Sequence, residues 1–431
     1  MRILVTGATG FIGQAVVAAL VRAGHTVVCA SRHPRADAPQ REPLAVDFAA
    51  VPPPQWWLPR LAGVDAVVNA VGILREQPGQ TFTALHEQAP IALFRACAQA
   101  GVPFVLQISA LGADEAARSR YHRSKKAADD ALRQLPLQSA IVQPSLVYGP
   151  GGASAAMFNG MAVLPLLALP AGGAMQVQPV HVDDVVAGVL ALLQSPPPQP
   201  ATIAFVGPEP MPLREFLAAL RRQLGLASPL RVLPLPAGLF RFGASLAGHI
   251  PGSFLDSETA GMLLRGNVAP AGPFTRLLGR PPLAVASFIE RARAATWRQE
   301  AMLGTWLPLL RWSIALLWIW TGIVSLGLYP VSDSLELLAR VGLRGGLATL
   351  ALYGAAALDL LLGVATIIAP PARRRLVWAG QLLLVLGYTA LITIFLPEYW
   401  LHPYGPLSKN LPLAAAIALL WALEPPRNRA G

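Results

Sequence analysis

Residues 6–13 of the chain read Thr6-Gly7-Ala8-Thr9-Gly10-Phe11-Ile12-Gly13, a glycine triplet between an apolar strand pattern and a helical pattern. Glycines at this spacing permit a tight turn and let bare backbone approach a phosphate, and the following helix N-terminus supplies N–H donors and a positive dipole end. A glycine triplet alone is a weak signal, but one that directly follows the first strand is much stronger. The stretch therefore predicts a dinucleotide-binding turn.

Short apolar strands alternate with helical patterns through residues 1–150. This alternation predicts a parallel sheet with helices on both faces, the doubly wound α/β Rossmann fold. The apolar run Met161–Ala171 contains two prolines, so we expect a loop there. The predicted strands are Arg2–Thr6, Thr26–Ala30, Pro43–Val46, Ala66–Asn69, Phe104–Ile108 and Ser139–Gln143, and the predicted helices include Ile12–Ala23 and Ala89–Ala100.

Residues 211–300 predict a small, mostly helical substrate lobe with one helix near Leu213–Leu224. The stretch Val232–Gly248 is apolar with scattered arginines, and it is either lobe core or a surface helix that dips into lipid. The resulting division of the chain is a Rossmann domain at residues 1–210, the lobe at 211–300 and a transmembrane domain at 306–424.

The C-terminal part contains four apolar runs that are nearly free of charge. Hydrophobic residues make up 54% of the chain and charged residues 13%, which is too apolar for an ordinary soluble protein. The first three runs are long enough to cross a hydrocarbon core of ~30 Å. The fourth is shorter and gains length only if it starts near Leu407, with Lys409 reaching the interface. We expect an all-α transmembrane four-helix bundle from Pro308–Leu328, Leu347–Ala369, Leu376–Leu396 and Leu411–Leu423.

Arginines flank the predicted spans on one side of the membrane. The positive-inside rule makes that side cytoplasmic. No signal peptide is expected, because the first two residues run directly into a strand. These patterns predict a multi-pass protein of a bacterial-type inner (cytoplasmic) membrane with its Rossmann domain in the cytoplasm. The arginines are Arg291, Arg293, Arg298 and Arg311 before or within the first run, Arg373, Arg374 and Arg375 between the second and third, and Arg427 and Arg429 after the fourth.

The formal net charge of +11 is better explained by anionic lipid than by nucleic acid. The arginine clusters lie beside apolar spans, and no Lys/Arg stripe is interleaved with aromatics. Cys29 and Cys97 fall in a predicted strand and a predicted helix, and the sequence has no CxxC motif or Cys/His cluster. We therefore expect no metal site and no disulfide, and two buried cysteines.

The second strand ends in Ser31 and Arg32, with Arg35 close by. An acidic residue there would bind the ribose hydroxyls of NAD and repel a 2′-phosphate, whereas arginine favours the 2′-phosphate. We expect NADP(H) to be preferred over NAD(H). The alternative is that Arg32 is a solvated surface residue.

Tyr121 and Lys125 form a YxxxK pair, which places phenol and ammonium on one face of a helix. The ammonium would lower the tyrosine pKa, so that Tyr121 acts as acid or base near neutral pH. With three lysines and seven tyrosines in the chain, chance supplies about 0.05 such pairs. The alternative is a cofactor clamp in which the lysine only binds ribose. His122 and Lys126 are expected to be solvated.

The GxxGxxG spacing resembles the extended and atypical branches of the short-chain dehydrogenase/reductase superfamily, including NAD-dependent epimerases and dehydratases. The resemblance covers roughly residues 1–300, and this part also resembles the nucleotide-binding accessory subunit of respiratory complex I. One departure is Gln143, where the family usually has arginine. The further matching motifs are Val46-Asp47-Phe48, Asn69-Ala70-Val71-Gly72, Gln143-Pro144-Ser145-Leu146-Val147-Tyr148-Gly149-Pro150 and His181-Val182-Asp183-Asp184-Val185.

This resemblance implies roles for individual residues. Asp47 resembles the adenine-contacting aspartate, Ser109 the serine that orients the substrate carbonyl, and Lys125 the lysine that also holds the nicotinamide ribose. Ser109, Tyr121 and Lys125 are thus the candidate catalytic residues. The candidate cofactor-binding residues are Gly7, Thr9, Gly10, Phe11, Ile12, Gly13, Ser31, Arg32, Asp47, Phe48, Ala70, Val71, Gly72, Lys125 and Pro144.

Residues 306–424 resemble the DoxX-like family of small four-helix membrane proteins, some of which accompany quinone-linked redox enzymes. Asp359 falls in mid-span, where a carboxylate usually faces the bundle interior, and it could pair with Arg311 at matching depth. Residues 397–410 predict an outer loop whose aromatics form an interfacial belt or, alternatively, a ligand site. The matching segments are Leu310–Gly322, Leu358–Gly363 and His402–Pro412.

The leading functional hypothesis is a membrane-anchored NADP(H)-dependent oxidoreductase that acts on a lipid-soluble carbonyl or quinone. Its expected partners are a small lipophilic substrate or quinone, membrane lipids and a membrane redox partner. One alternative is a non-catalytic NADPH-binding assembly or sensor protein of a respiratory membrane complex. Another is a nucleotide-sugar-type epimerase or dehydratase.

Overall fold

A computed structural model of the chain describes residues 1–34, 38–248 and 256–424. Arg35, Arg427 and Arg429 lie outside the described residues. The chain divides into two compact units, Met1–Ala301 and Met302–Gly431.

The strands confirm all six of those predicted, three with the predicted bounds and three with ends shifted by one or two residues. The third begins at Arg41 where the sequence predicts Pro43. The strands are β1 (Arg2–Thr6), β2 (Thr26–Ser31), β3 (Arg41–Ala45), β4 (Ala66–Asn69), β5 (Phe104–Ile108), β6 (Ser139–Pro144), β7 (Val147–Tyr148), β8 (Leu166–Pro170), β9 (Gln176–Val177), β10 (Val180–His181), β11 (Ala201–Phe205), β12 (Met211–Pro212) and β13 (Arg231–Leu235).

The helices include those predicted at the glycine turn and before β5. A π-helical turn, Thr83–Gln88, runs directly into the helix Ala89–Ala100 that precedes β5. The helices are α1 (Phe11–Arg22), α2 (Pro54–Trp57), α3 (Ala89–Ala100), α4 (Arg120–Arg133), α5 (Ala153–Val163), α6 (Val182–Gln194), α7 (Leu213–Gln223), α8 (Ala237–Ala247), α9 (Ser257–Arg265), α10 (Gly272–Leu278), α11 (Ala294–Ile323), α12 (Val331–Arg340), α13 (Gly346–Ile368), α14 (Pro371–Phe395) and α15 (Asn410–Leu423).

A parallel sheet of seven strands in the order β3-β2-β1-β4-β5-β6-β11 forms the centre of the first unit. Its faces are set by the alternation of side chains along each strand. In β1, Ile3 and Val5 join a core with Leu20 of α1 and Val189 of α6, whereas Leu4 joins the opposite core with helix α3. Burial on both faces explains why these strands are apolar at nearly every position.

The order of the strands reverses between β1 and β4. These two neighbours are followed by connections that leave toward opposite sides, which opens a crevice at their carboxyl ends. Gly7 follows β1 and Ala70 follows β4, so the glycine turn lies at this crevice.

The prediction of a loop at Met161–Ala171 is wrong. The first part of the run ends α5 at Val163, and the second part is β8, which pairs in parallel with β13. That pairing joins segments more than sixty residues apart, so no local pattern in the run reveals it. The lobe helix predicted near Leu213–Leu224 is confirmed as α7, and Val232–Gly248 divides into the end of β13 and α8.

Within the described ranges, three helical segments are long and apolar enough to cross a membrane: Arg291–Leu328, Gly346–Ile368 and Pro371–Phe395. The fourth predicted run is a helix of 14 residues that begins at Asn410. At 1.5 Å per residue it measures about 21 Å, short of a ~30 Å core. The helix does not gain the length that a start near Leu407 would have given it.

Polar side chains inside the second unit bind backbone and one another. Arg311 donates from Nε to the carbonyl of Thr366 over 2.6 Å and from Nη2 to that of Ile367 over 2.8 Å. The suggested pair between Arg311 and Asp359 is therefore not formed in the part of the chain that the structure describes. Asp359 itself is buried, as expected for a carboxylate that faces the bundle interior.

Candidate functional site

The glycine turn is packed so closely that side chains are excluded at two of its positions. Gly7 has φ +64°, and a Cβ there would lie 2.6 Å from the carbonyl oxygen of Ala70. A Cβ on Gly13 would lie 2.1 Å from the carbonyl oxygen of Gly7. Gly10 is the N-cap of α1 and offers no side-chain cap, so the first-turn amides face an open helix end. Such an end suits a pyrophosphate.

A row of buried polar side chains joins the carboxyl ends of three adjacent strands. Thr6 Oγ1 donates to Asn69 Oδ1 over 2.5 Å, and Asn69 Nδ2 donates to Gln107 Oε1 over 2.6 Å. These bonds fix the ends of β1, β4 and β5 beneath the crevice. Sequence reasoning missed Thr6 and Gln107, although a polar residue near the end of an otherwise apolar buried strand is a usable signal.

Helix α4 carries the YxxxK pair on one face. Ser119 caps the helix by accepting a hydrogen bond from the amide of His122. Tyr121, Lys125 and Asp129 follow at intervals of four residues and share that face. Lys125 and Asp129 are buried, and Tyr121 is half-buried.

Lys125 ties together the loops that follow two neighbouring strands. Its Nζ donates to the carbonyl of Val71 over 3.0 Å and to that of Ile108 over 3.1 Å. A Cβ on Gly72 would lie 3.2 Å from the same nitrogen. Burial lowers the pKa of the ammonium, and the charge of Asp129 opposes that shift. The structure thus brings Lys125 together with the predicted segment of residues 70–72.

Ser109 is bound to a carboxylate that sequence reasoning missed. Its Oγ donates to Asp129 Oδ2 over 2.5 Å. Burial raises the pKa of the Asp129 carboxyl, while the Ser109 hydrogen bond and the Lys125 charge act in the opposite direction. The sequence contained a signal for it, because a residue eight positions after Tyr121 in a helix lies on the same face as Tyr121 and Lys125.

Tyr121 has a raised pKa, where the sequence predicts a lowered one. Burial raises the pKa of its phenol to about 12, and the charge of Asp129 adds to the effect. The ammonium of Lys125 directs its hydrogen bonds to two backbone carbonyls and not to the phenol. No hydrogen bond in the described residues joins Tyr121 directly to Ser109 or Lys125.

His86 connects the loop after β4 to α4, and sequence reasoning missed it. Its Nε2 accepts from the amide of Ile73 over 2.9 Å, and its Nδ1 lies 3.1 Å from Ser124 Oγ. Burial and, to a smaller extent, the charge of Lys125 lower the pKa of His86 to about 2. Since Nε2 accepts, the neutral ring carries its proton on Nδ1.

The two helix positions beside the pair depart from the expectation that they are solvated. His122 is buried, and its Nδ1 lies 2.9 Å from Ser119 Oγ. Lys126 is half-buried, and its Nζ lies 2.7 Å from Glu115 Oε1 and 2.5 Å from Asp130 Oδ2. Ser119, the N-cap of α4, therefore contacts both the amide and the ring of His122.

The end of β2 lies beside the glycine turn, since β1 and β2 are paired. Ser31 is buried, and its hydroxyl has no hydrogen-bond partner among the described residues. Arg32 is exposed at the next position. Asp47 is exposed after β3 and accepts a hydrogen bond from the amide of Ala49 over 3.0 Å. The neighbouring Phe48 is buried against the ring of Trp57, with ring centroids 5.7 Å apart.

Residues of the two later motifs make contacts that hold the fold. Pro144 ends β6, and Gln143 Nε2 donates to the carbonyl of Ala113 over 3.3 Å. Asp184 is fully buried and accepts from Arg280 Nη2 over 2.6 Å and from the amide of Leu283 over 2.7 Å. These contacts attach residues 280–283 to helix α6.

Comparison with known families identifies two domains in the chain. Residues 3–205 match the NAD dependent epimerase/dehydratase family, and residues 315–418 match the DoxX-like family. The first match covers the seven-stranded sheet, and the second lies within the second compact unit.

Two curated relatives are similar to the N-terminal half. Ceramide reductase of Caulobacter vibrioides is 30% identical over 200 residues, which cover 45% of this chain and 61% of the relative. The mitochondrial NADH dehydrogenase [ubiquinone] 1 alpha subcomplex subunit 9 of Arabidopsis thaliana is 31% identical over 205 residues, which cover 44% and 49%. The chain thus spans about three fifths of one relative and half of the other.

Solved structures support the fold. A short-chain dehydrogenase/reductase superfamily protein from Agrobacterium tumefaciens, solved with bound NAD, is 18% identical and superposes with a TM-score of 0.51. The alignment covers 70% of this chain and 99% of that one. At this identity the likeness concerns the fold alone.

Proposed function

The chain joins an NAD-dependent epimerase/dehydratase domain at residues 3–205 to a DoxX-like domain at residues 315–418, and from this premise we propose that it is a membrane-anchored NADP(H)-dependent oxidoreductase. Its substrate is a lipid-soluble carbonyl or quinone. The similarity to a protein named ceramide reductase supports a lipid substrate, as does the presence of a membrane domain in the same chain.

One observation carries the proposal. Lys125 Nζ is bound to the carbonyl of Val71, and the preceding residue, Ala70, is the one against which Gly7 packs. The dinucleotide turn and the YxxxK helix therefore meet at the same two-residue segment after β4. A cofactor on the turn would extend toward Lys125 and Tyr121.

The residues at the crevice fit a dinucleotide. The space around Gly7 and Gly13 admits no Cβ, and the N-terminus of α1 has no side-chain cap. Ser31 and Arg32 would hold the 2′-phosphate, since the buried Ser31 hydroxyl has no other described partner and arginine binds phosphate strongly. These two residues support NADP(H) over NAD(H). The bound cofactor supplies or accepts a hydride.

The chain's own groups supply the proton and the orientation. In the reductive direction Tyr121 would give its phenolic proton to the substrate oxygen, and with a hydride from the cofactor a carbonyl would become an alcohol. Ser109 orients that oxygen, and Asp129 holds Ser109 in place. Lys125 would hold the nicotinamide ribose through the ammonium that now bridges the carbonyls of Val71 and Ile108.

A cytoplasmic membrane location follows from the arginine distribution. The three apolar helices anchor the chain, and Arg373, Arg374 and Arg375 between the second and third mark the cytoplasmic side. The expected partners remain a lipophilic substrate or quinone, membrane lipids and a membrane redox partner.

The direct test is turnover by the full chain in detergent or vesicles. NADPH oxidation is followed at 340 nm against quinones, sterol ketones and fatty aldehydes, with NADH in parallel. The proposal expects stoichiometric cofactor consumption with at least one class. An epimerase or dehydratase would convert substrate without net consumption of cofactor, and that result would overturn the oxidoreductase assignment.

A second candidate is an NADPH-binding assembly or sensor protein. The raised pKa of Tyr121 and the engagement of Lys125 with two carbonyls favour it, because neither poises the phenol for proton transfer. The similarity to a subunit of NADH dehydrogenase points the same way. Tight NADPH binding with no turnover across the whole substrate panel would favour this candidate.

A further inference from the structure

Exposed apolar side chains in the first unit are concentrated in one region. Among its described residues, the large apolar side chains that are exposed include only Met1, Leu74 and Val268 outside this region. The other five are between 48% and 62% exposed. We call them the α8 face: Leu166 of β8, Leu233 of β13, and Leu239, Phe242 and Leu246 of α8.

Helix α8 presents apolar residues on two sides. Phe240 and Ala244 are buried and pack against Ala260 of α9. Leu239, Phe242 and Leu246 follow a spacing of three and four residues, which forms a separate stripe. That stripe points outward, so α8 is not an ordinary surface helix with one polar face.

Strand pairing extends the stripe into a continuous surface. Leu233 is paired in register with Ala168, two residues after Leu166, and β13 leads into α8 after a single residue. The five side chains therefore belong to neighbouring elements of one substructure. Contiguous exposed apolar surface in a protein usually marks a contact with a membrane or a partner.

The chain segment that carries α8 has only positive charges, whereas α9, against which α8 packs, begins with Asp256 and Glu258. From residue 216 to residue 255 the sequence contains no aspartate or glutamate. Arg222, Arg231 and Arg241 are exposed in the described part of this segment. Arginines in the same segment as an apolar stripe are complementary to anionic lipid headgroups.

The α8 face is connected to the candidate site through α9. The inner side of α8 packs on Ala260, and Glu258 of α9 accepts a hydrogen bond from the amide of Tyr121 over 2.9 Å. Arg265 at the other end of α9 lies 2.7 Å from Asp114, in the loop before α4. One helix therefore separates the apolar surface from the proposed proton carrier.

We propose that the α8 face inserts into the headgroup layer of the bilayer and admits the lipid substrate to the site. This inference rests on the proposed function for the identity of the substrate. The bilayer is the favoured occupant, because the apolar helices of the second unit keep a membrane within reach of the same chain. Single attachment of an amphipathic stripe is weak in isolation, but tethering raises its effective concentration.

The first experiment measures lipid contact without any need for activity. Phe242→Cys in the full chain is labelled with an environment-sensitive fluorophore and reconstituted into vesicles of phosphatidylcholine and phosphatidylglycerol. Cys29 and Cys97 are buried, so the new thiol is labelled selectively. The matched control is Arg22→Cys, an exposed position at the end of α1. We expect blue-shifted emission and quenching by doxyl-labelled lipid at position 242 alone.

Two outcomes would overturn membrane insertion. One is equal quenching at positions 242 and 22. The other is a blue shift at 242 that resists doxyl-lipid quenching and grows with protein density in the vesicle, which would assign the surface to a second copy of the chain.

The second experiment measures substrate entry. The triple variant Leu239→Ser, Phe242→Ser, Leu246→Ser alters exposed side chains only. We expect its KM for a vesicle-borne substrate to rise by about tenfold or more, while kcat and the KM for a short water-soluble analogue stay unchanged. An unchanged KM for the vesicle-borne substrate would overturn the entry route. If no substrate is turned over at all, the proposed function fails, and the labelling result still decides membrane insertion.

Discussion

Ser109 Oγ donates a hydrogen bond to Asp129 Oδ2 over 2.5 Å, and Asp129 is fully buried. The residue expected to orient a substrate oxygen is thus anchored to the helix face that carries Tyr121 and Lys125. This bond links the end of β5 to α4, so the geometry of the candidate site depends on a carboxylate that need not touch the substrate.

Asp129→Asn keeps an acceptor for Ser109 and removes the charge. Since Asp129 contributes to the raised pKa of Tyr121, the variant should lower that pKa. In the reductive direction the phenol must be protonated, so activity is lost as pH rises through the pKa. We expect the alkaline limb of the kcat/KM profile to move to lower pH. The matched control is Asp130→Asn, one residue away and paired with Lys126 and Arg133. Identical profiles for wild type and Asp129→Asn would contradict the assignment.

Tyr121→Phe should lower turnover by roughly 10²–10⁴, the usual contribution of a positioned acid or base. NADPH affinity should stay nearly constant, because the phenol is not needed to bind the cofactor. Lys125→Ala should weaken both, and Ser109→Ala should lower turnover alone. Lys126→Ala is the control, since that lysine is engaged with Glu115 and Asp130. Steady-state kinetics and cofactor titration measure the two effects. A Tyr121→Phe enzyme with wild-type activity would end the catalytic assignment.

Arg32→Ala should weaken NADPH binding by about tenfold to a hundredfold, the range expected for a lost charge-assisted hydrogen bond. NADH affinity should hardly change, because NADH has no 2′-phosphate. Fluorescence titration of both cofactors gives the ratio. Arg22→Ala, at the far end of α1 from the glycine turn, serves as the control. Equal affinities for the two cofactors in wild type would refute the predicted preference.

His86 should make the first unit less stable as pH falls. Its folded pKa of about 2 lies below its ordinary value of 6.5, so the unfolded chain binds a proton that the folded chain does not. This contribution is present above pH 6.5 and is lost as pH falls below it. Between pH 7 and 5.5 the loss should be about 1 kcal/mol.

His86→Gln should lack that slope, whereas His33→Gln, at an exposed position, should keep it. Pulse proteolysis of the full chain in urea, with the fragments of residues 1–301 followed on gels, measures the free energy of unfolding at each pH. Equal slopes in wild type and His86→Gln would show that the histidine does not stay neutral.

Both ends of the chain should face the cytoplasm. The arginine pattern and four crossings predict this orientation, and α15, with 14 residues, is the shortest of the four predicted crossings. Reporter fusions after Gly431 and in the segment between α14 and α15 test it. A C-terminal reporter active only in the periplasm would mean that α15 does not cross.

Local patterns determine most of the fold. Strands β1, β2, β4, β5 and β6 are recognisable because each is a short apolar run bounded by turn residues. The glycine turn is recognisable because a tight turn with close backbone approach requires glycine at these positions. Helices α13 and α14 are equally plain, since long runs without charge have few other structures open to them.

Non-local contacts decide the rest. Strand β8 forms only because β13 supplies its hydrogen-bond partners. The two prolines in the run Met161–Ala171 indicate a loop and give no hint of this pairing. His86, on the short π-helical turn, is another such case, because its ring lies against Ser124, 38 residues along the chain. In these segments the partner lies far along the chain, and propensity is a weak guide when tertiary contacts satisfy the backbone.

The sequence by itself determined which functional groups the candidate site contains: a glycine turn, a tyrosine and lysine four residues apart, a serine after β5, and an arginine after β2. Only the tertiary structure decided the burial and the hydrogen-bond partners of those groups. It buried Asp129 against Ser109 and held Lys125 on the carbonyls of Val71 and Ile108. It also buried the phenol of Tyr121, and this burial, together with the charge of Asp129, raised the pKa of Tyr121. The physical reason is that spacing fixes which side chains share a helix face, whereas desolvation and hydrogen-bond partners depend on everything packed against that face.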